Sequence, residues 1–262
     1  ESVHIDTNNN LWIADREGRT VYRLPASMRD ELKEDLSSLV SISGNSKQPV
    51  SVVTDVKGNI YVADRKNAIF IYPAAIYQVP GKYTDPSPSR IIRGKDSGLN
   101  LPLALALDSS DNIWVANQGG NSIEQFAAGL IQDSSPIKPM VTISGGRTLL
   151  DEPKGLFVDK AGNIWVTNAN SHEIYVFAAG TSGNTAPTCI IKSPAINRPS
   201  GIVLDAQGNI YQANDVTTGG AINIFAPVLA TCGTIEVSPV RSISGVSTLV
   251  GQSFGLAIGY LF

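Results

Sequence analysis

Hydrophobic and polar residues alternate in five short runs along this chain: NNNLWIAD (8–15), KGNIYVAD (57–64), SDNIWVAN (110–117), AGNIWVTN (161–168) and QGNIYQAN (207–214). Each run opens on turn-forming residues and closes on Asp or Asn. Alternation with period two predicts a β-strand in each. In the second run Ile60 and Val62 point to one face and Tyr61 and Ala63 to the other. Both faces are therefore apolar, as in a sheet sandwiched between neighbours.

A shorter apolar strand ending in Asp precedes each run: VHID to Asp6, VVTD to Asp55, LALD to Asp108, LFVD to Asp159 and IVLD to Asp205, at spacings of 49, 53, 51 and 46 residues. A period near 50 is the length of a propeller blade, longer than helical repeats of about 33 to 34. Turns such as Asp55-Val-Lys-Gly58-Asn59 combine an Asx side-chain bond with a residue that tolerates positive φ, so the first two strands form a hairpin. A third strand follows, ending in TVYRLPAS, IFIYPAA, IEQFAAG, IYVFAAG or INIFAPV. After a Pro/Gly/Ser-rich loop comes a fourth, VSISG, RIIRG, VTISG, CIIKS or RSISG. Such a sheet cannot bury both faces alone, so the units stack radially. The expected fold is an all-β propeller of four-stranded blades in a single domain over 1–262. Its blades fall near 1–48, 49–98, 99–149, 150–196 and 197–247, with the inner strand of a sixth in 252–262.

The recurring pattern P-x-G-[LI]-x-[VL]-D-x-x-G-N-[IL]-[YW]-V-[AT]-[DN] resembles the NHL repeat across essentially the whole chain. The resemblance implies a propeller shared by secreted lyases and lactone hydrolases, RNA-binding domains of developmental regulators and bacterial extracellular proteins. Segments such as GNIWVTN, FAAGTSGNTAP and TISGG look most like the last group. It also implies a ring of six or seven blades, often with one blade shared by the two chain ends. QSFGLAIGYLF (252–262) matches a linker and first strand, with Phe254, Leu256 and Ile258 as its edge; the three outer strands expected before Glu1 are absent. Three arrangements stay open. The chain is a processed or partial form, the last strand supplements an edge of a five-bladed ring, or a neighbouring subunit completes the sheet, giving a homo-oligomer or filament.

Composition narrows the partners. With 42% apolar and 16% charged residues and a net charge of −3, the chain offers no broad cationic surface, so neither nucleic acid nor an anionic membrane surface is expected to bind it. No apolar run reaches the roughly 18 residues of a membrane span. Glu1 opens directly into patterned sequence, as expected where any signal peptide is already gone. Cys189 and Cys232 fall on the outer edges of adjacent blades, so a bridge between blades and an oxidising compartment are expected; two separate buried thiols are the alternative. Blade one carries the insertion SMRDELKEDLSSL, where Ser27 as a cap and Met28, Leu32 and Leu36 at helical spacing predict a short rim helix. Blade two carries a longer rim loop, AAIYQVPGKYTDPSPS.

Strand order places the second-to-third turns and the blade linkers on one face of the ring. Asp15, Asp64, Asn117, Asn168, Asn214 and His172 recur there. A ring of oxygen donors suits a hard cation; the simpler role is a strand-end side chain that accepts backbone N–H bonds. His4 and His172 are the only histidines, and no G-x-x-x-x-G-K-[ST] or C-x-x-C string occurs. Trp12, Tyr61, Trp114, Trp165 and Tyr211 would suit sugar stacking, but inside a strand they are expected to fill the wedge between blades. The expected function is a secreted, non-catalytic binding or scaffold module with a protein or glycan partner and no cofactor. The resemblance keeps an alternative, a lyase or lactone hydrolase using calcium or magnesium in the axial channel.

Overall fold

The computed structural model describes residues 2–28, 39–77, 79–129, 137–216, 220–244 and 256–257. These form a five-bladed β-propeller with 22 strands and no α-helix among the described residues. Blade one contains β1 (Ser2–Ile5), β2 (Leu11–Asp15), β3 (Thr20–Leu24) and β4 (Val40–Ser43). Blade two contains β5 (Pro49–Thr54), β6 (Ile60–Asp64), β7 (Ala68–Tyr72) and, after the short β8 (Gly81–Thr84), β9 (Arg90–Arg93). Blade three contains β10 (Pro102–Leu107), β11 (Ile113–Asn117), β12 (Ser122–Phe126) and β13 (Val141–Ser144). Blade four contains β14 (Pro153–Val158), β15 (Ile164–Asn168), β16 (Glu173–Phe177) and β17 (Cys189–Lys192). Blade five contains β18 (Pro199–Leu204), β19 (Ile210–Asn214), β20 (Ala221–Phe225) and, after β21 (Gly233–Glu236), β22 (Arg241–Ser244). The four strands of every blade pair antiparallel in chain order.

One hydrogen-bonding device repeats in all five blades and explains the D-x-x-G-N-x-[WY] spacing. Asp55 Oδ1 accepts the backbone N–H groups of Lys57 and Asn59, while its Oδ2 accepts the Asn59 side chain at 2.7 Å and the Tyr61 hydroxyl at 3.0 Å. Trp12, Trp114 and Trp165 donate their indole N–H to Asp6, Asp108 and Asp159 at 2.9, 3.0 and 3.0 Å. Tyr211 does the same to Asp205 at 3.4 Å. The aromatic series thus locks the first hairpin, while the rings of Trp12, Tyr61, Trp114 and Trp165 pack between blades. Burial pushes the Asp108 carboxyl up, but bonds from Asn112, Trp114 and the Ser110 and Asn112 amides outweigh it, leaving the group below its ordinary range.

The core is divided into four clusters, each between consecutive blades. Ile60 and Val62 join Trp12, Val21 and Ile42 of blade one. Tyr61 and Ala63, on the opposite face, join Leu105, Val115 and Phe126 of blade three. Among the described residues no such cluster joins blade five to blade one. Val3, Ile5, Leu11, Ile13, Tyr22 and Leu24 on the outer face of blade one are only half-buried. So are Val203, Tyr211, Ile222 and Ile224 on the outer face of blade five, where Ile243 is 38% exposed.

The rim loops prove to be straps between blades. The blade-two loop forms β8, which extends the sheet of blade one by pairing parallel with β4. The short 3-10 turn Ala74–Tyr77 precedes it, and Tyr77 packs edge-on against Tyr72 and Tyr83 with centroids 5.9 and 4.9 Å apart. The equivalent loop of blade five forms β21, parallel to β17 of blade four. Cys232, just before β21, is disulfide-bonded to Cys189 at the start of β17 with a Cα–Cα distance of 4.8 Å. Ser27 lies in a single 3-10 turn (Ala26–Met28); the rest of the expected rim helix, with Leu32 and Leu36, lies outside the described residues. So do Phe254 and Ile258 of the expected sixth-blade strand.

Candidate functional site

The innermost strands β1, β5, β10, β14 and β18 surround an axial cavity of about 1390 Å³, and Leu256 and Ala257 line it with them. Around one mouth lie the second-to-third turns and the linkers, the face on which the sequence placed Asp15, Asp64, Asn117, Asn168, His172 and Asn214.

Four of these side chains face the linkers rather than the cavity. Asn117, Asn168 and Asn214 accept the backbone N–H of Asn100, Asp151 and Asn197 at 3.1, 2.7 and 3.0 Å. Their amides donate to the carbonyls of Gly98, Leu149 and Ala195. Asp64 Oδ2 accepts the Ser46 hydroxyl and the N–H groups of Lys47 and Gln48 at 2.6, 2.6 and 2.9 Å, and its Oδ1 accepts Lys66 N–H. Each buried polar group is thereby consumed in holding a linker to the blade that follows it. Asp15, in blade one, instead accepts Gly18 N–H within its own turn at 3.0 Å.

A second clasp holds three of the linkers from the preceding blade. Asn67 and Asn121 accept the N–H of Leu101 and Glu152 at 2.7 and 2.9 Å. His172 Nδ1 fills the same role toward Arg198 N–H at 2.9 Å, which fixes the imidazole tautomer with its proton on Nε2. These acceptors sit at φ values of 60°, 46° and 58°, a left-handed turn position that Asn and His tolerate better than most residues. In blade one this place is taken by Arg19, at φ 52°, whose guanidinium has no acceptor atom.

The residues that do reach the cavity mouth lie one position beyond the strand-end Asp or Asn: Arg16, Arg65, Gln118 and Asp215. Sequence reading missed them by stopping at the invariant-looking strand end; the visible cue was the variability of the next position, Arg, Arg, Gln, Ala and Asp, within a fixed frame. Arg65 donates to Gln118 at 3.2 Å. Across the mouth, Lys154 at the start of β14 pairs with Asp215 at 2.5 Å, both side chains about nine-tenths buried. His4 lies lower in the wall, its Nε2 2.9 Å from Thr54 Oγ1, and burial lowers its imidazole to about 4 against the opposing pull of Asp6. Among the described residues no three His, Cys, Asp or Glu side chains converge on a point that would hold a metal ion. The string GQSFG (251–255) spells the G-x-S-x-G pattern, whose chemistry requires a strand–turn–helix setting, and it lies outside the described residues.

No protein-family model matches the chain. A curated relative, peptidyl-glycine alpha-amidating monooxygenase A of Xenopus laevis, is 32% identical over 103 aligned positions, 32% of this chain; the match spans 11% of that protein's length. Solved structures share the fold at low identity. The streptogramin B lyase superposes with TM-score 0.58 at 12% identity, over 89% of this chain and 71% of that one. A catalytically inactive virginiamycin B lyase from Staphylococcus aureus with quinupristin gives 0.58 at 11%, over 98% and 73%. The WD40 repeats of RRP9 give 0.63 at 10%, over 98% and 68%. Lyases and a WD40 repeat domain are all matched at only 10 to 12% identity, so these likenesses define a β-propeller and no activity. Among the described residues no helix is long and apolar enough to cross a membrane.

Proposed function

We propose that this chain is an NHL-type propeller working outside the cytoplasm as a non-catalytic binding or scaffold module, and that it assembles through the junction between blades five and one. The observation that carries this reading is the pair of half-buried apolar faces there, Val3, Ile13 and Tyr22 on one side and Val203, Tyr211 and Ile224 on the other. Every other junction is filled by an apolar cluster. In sequence, 254–258 aligns with β18 so that Leu256 and Ala257 correspond to Ile202 and Val203, and all four line the axial cavity. A neighbouring subunit seated at this junction buries both faces together. The repeat motif supports the family, and the disulfide supports an oxidising compartment.

Light scattering across a hundredfold concentration range tests the assembly. The full chain is expected to self-associate, and Ile13→Asp with Ile224→Asp to abolish association while leaving the β-sheet spectrum intact. A monodisperse monomer at the highest concentration would sink the reading. A second reading, a lyase-like enzyme with calcium or magnesium in the axial cavity, draws support from the size of that cavity and the likeness to lyases. A stoichiometric divalent ion in purified protein together with turnover of lactones would establish it instead.

A further inference from the structure

The junction between blades one and two departs from the others, and the departure concentrates positive charge. Elsewhere an acceptor side chain from the preceding blade, Asn67, Asn121 or His172, closes the linker. Here the corresponding residue is Arg19, and the linker amide of Gln48 turns instead to the Asp64 carboxylate, which also accepts Lys47 N–H as Asn117 accepts Asn100 N–H. That carboxylate draws the linker 46–48 against the turn 65–67, so basic residues from three separate stretches of sequence meet on one rim. They enclose a cleft of about 610 Å³ lined by Arg16, Arg19, Lys47, Arg65 and Lys66, with Glu17 as the acidic group of the lining. Glu17 is 86% exposed and meets Arg16 at 3.1 Å, which leaves Arg19, Lys47, Arg65 and Lys66 as the excess positive charge of the cleft. Asp64 lies behind the cleft, already saturated by four donors; Asp15 is turned to its own loop. In a chain of net charge −3, this is local excess charge in a concave site. Arg16 and Arg65 also line the axial cavity, so the cleft opens into its mouth.

We propose that this cleft is a binding site for a small polyanion bearing phosphate or sulfate groups. The guanidinium groups of Arg19 and Arg65, on neighbouring blades, suit contacts to tetrahedral oxyanions, while Lys47 and Lys66 supply point charges at the rim. The concavity and volume favour a compact ligand over an extended polymer. The site does not depend on how blades five and one are joined, or on any catalysis.

Isothermal titration at about 150 mM salt, with inorganic pyrophosphate in one arm and a sulfated disaccharide in the other, tests the proposal. Saturable one-to-one binding of at least one probe is expected, and the arm that responds identifies the source of the oxyanion. Arg65→Gln with Lys66→Gln should weaken it about tenfold or more, whereas Lys82→Gln on β8 should leave it unchanged. Should Arg65→Gln impair folding, Lys47→Gln with Lys66→Gln is the substitute, since both side chains are exposed. Absence of saturable binding in both arms, or an equal loss in the Lys82→Gln control, overturns the proposal.

Discussion

Lys154 and Asp215 form a 2.5 Å ion pair across the junction of blades four and five, with side chains 8% and 11% exposed. A buried pair this close contributes little over an apolar replacement, but removing one partner strands a charge away from water. Asp215→Asn is expected to cost about 3 kcal/mol or more in denaturant unfolding. The double variant Lys154→Met with Asp215→Leu should cost clearly less. Should the losses of Lys154→Met alone and Asp215→Leu alone simply add in that double variant, the groups do not act as a pair.

The disulfide closes a loop with a sequence separation of 43 and pins the strap β21 onto blade four. Chain-entropy reasoning puts its contribution at roughly 3 to 4 kcal/mol. Cys189→Ser with Cys232→Ser should lower the melting temperature by several degrees, and dithiothreitol should reproduce the shift in the natural chain and not in the variant.

His4 should give the fold a distinct acid sensitivity. Its imidazole is lowered by burial from 6.5 to about 4, so between these values the unfolded chain takes up a proton that the folded one refuses. Stability is therefore lost as pH falls through this window, by about 2 to 3 kcal/mol at its acid end. His4→Gln should remove that part of the pH dependence in unfolding curves collected from pH 7 to 4.

Glu124, 4% exposed, is held by the hydroxyls of Ser122 and Thr142. Burial raises its carboxyl above the ordinary value despite those two bonds. The folded state thus favours the protonated acid, and the advantage present below the usual carboxylate range disappears as pH rises. Glu124→Gln should stabilise the protein at pH 7 by about 1 kcal/mol and have no stabilising effect near pH 3, as read from melting curves.

The clasp made by His172 needs an acceptor and not an imidazole. His172→Asn, which installs the residue that Asn67 and Asn121 already use, should leave stability within about 0.5 kcal/mol of the parent, while His172→Ala should lose about 1 kcal/mol. Loss of equal size in both variants would point to a role beyond the clasp.

The repeat was fully legible because each of its parts answers to local chemistry. Asp55, Gly58, Asn59 and Tyr61 make their bonds within one hairpin, so their spacing alone carried the turn, the strand and the alternation that puts Ile60 and Tyr61 into different cores. The candidate site was legible only in outline. Asn117 and Asn168 end their strands as the pattern predicts, but the direction of their side chains depends on linkers about 17 residues earlier. Arg16 and Arg65 were marked only by the variability of the position after the strand end, which does not say where their side chains go.

The sequence by itself determined the blade: a four-stranded unit, its turn chemistry, its two apolar faces and the placement of two cysteines on adjacent edges. Only the tertiary structure decided what blades do to one another. It turned the rim loops into straps, bonded Cys189 to Cys232, and set Lys154 against Asp215. It also gathered Arg16, Arg19, Lys47, Arg65 and Lys66 around one cleft. The reason is one of range: hairpins are fixed by residues within six positions of each other, whereas junctions are fixed by packing between segments about 50 residues apart, where no period records which side chain meets which.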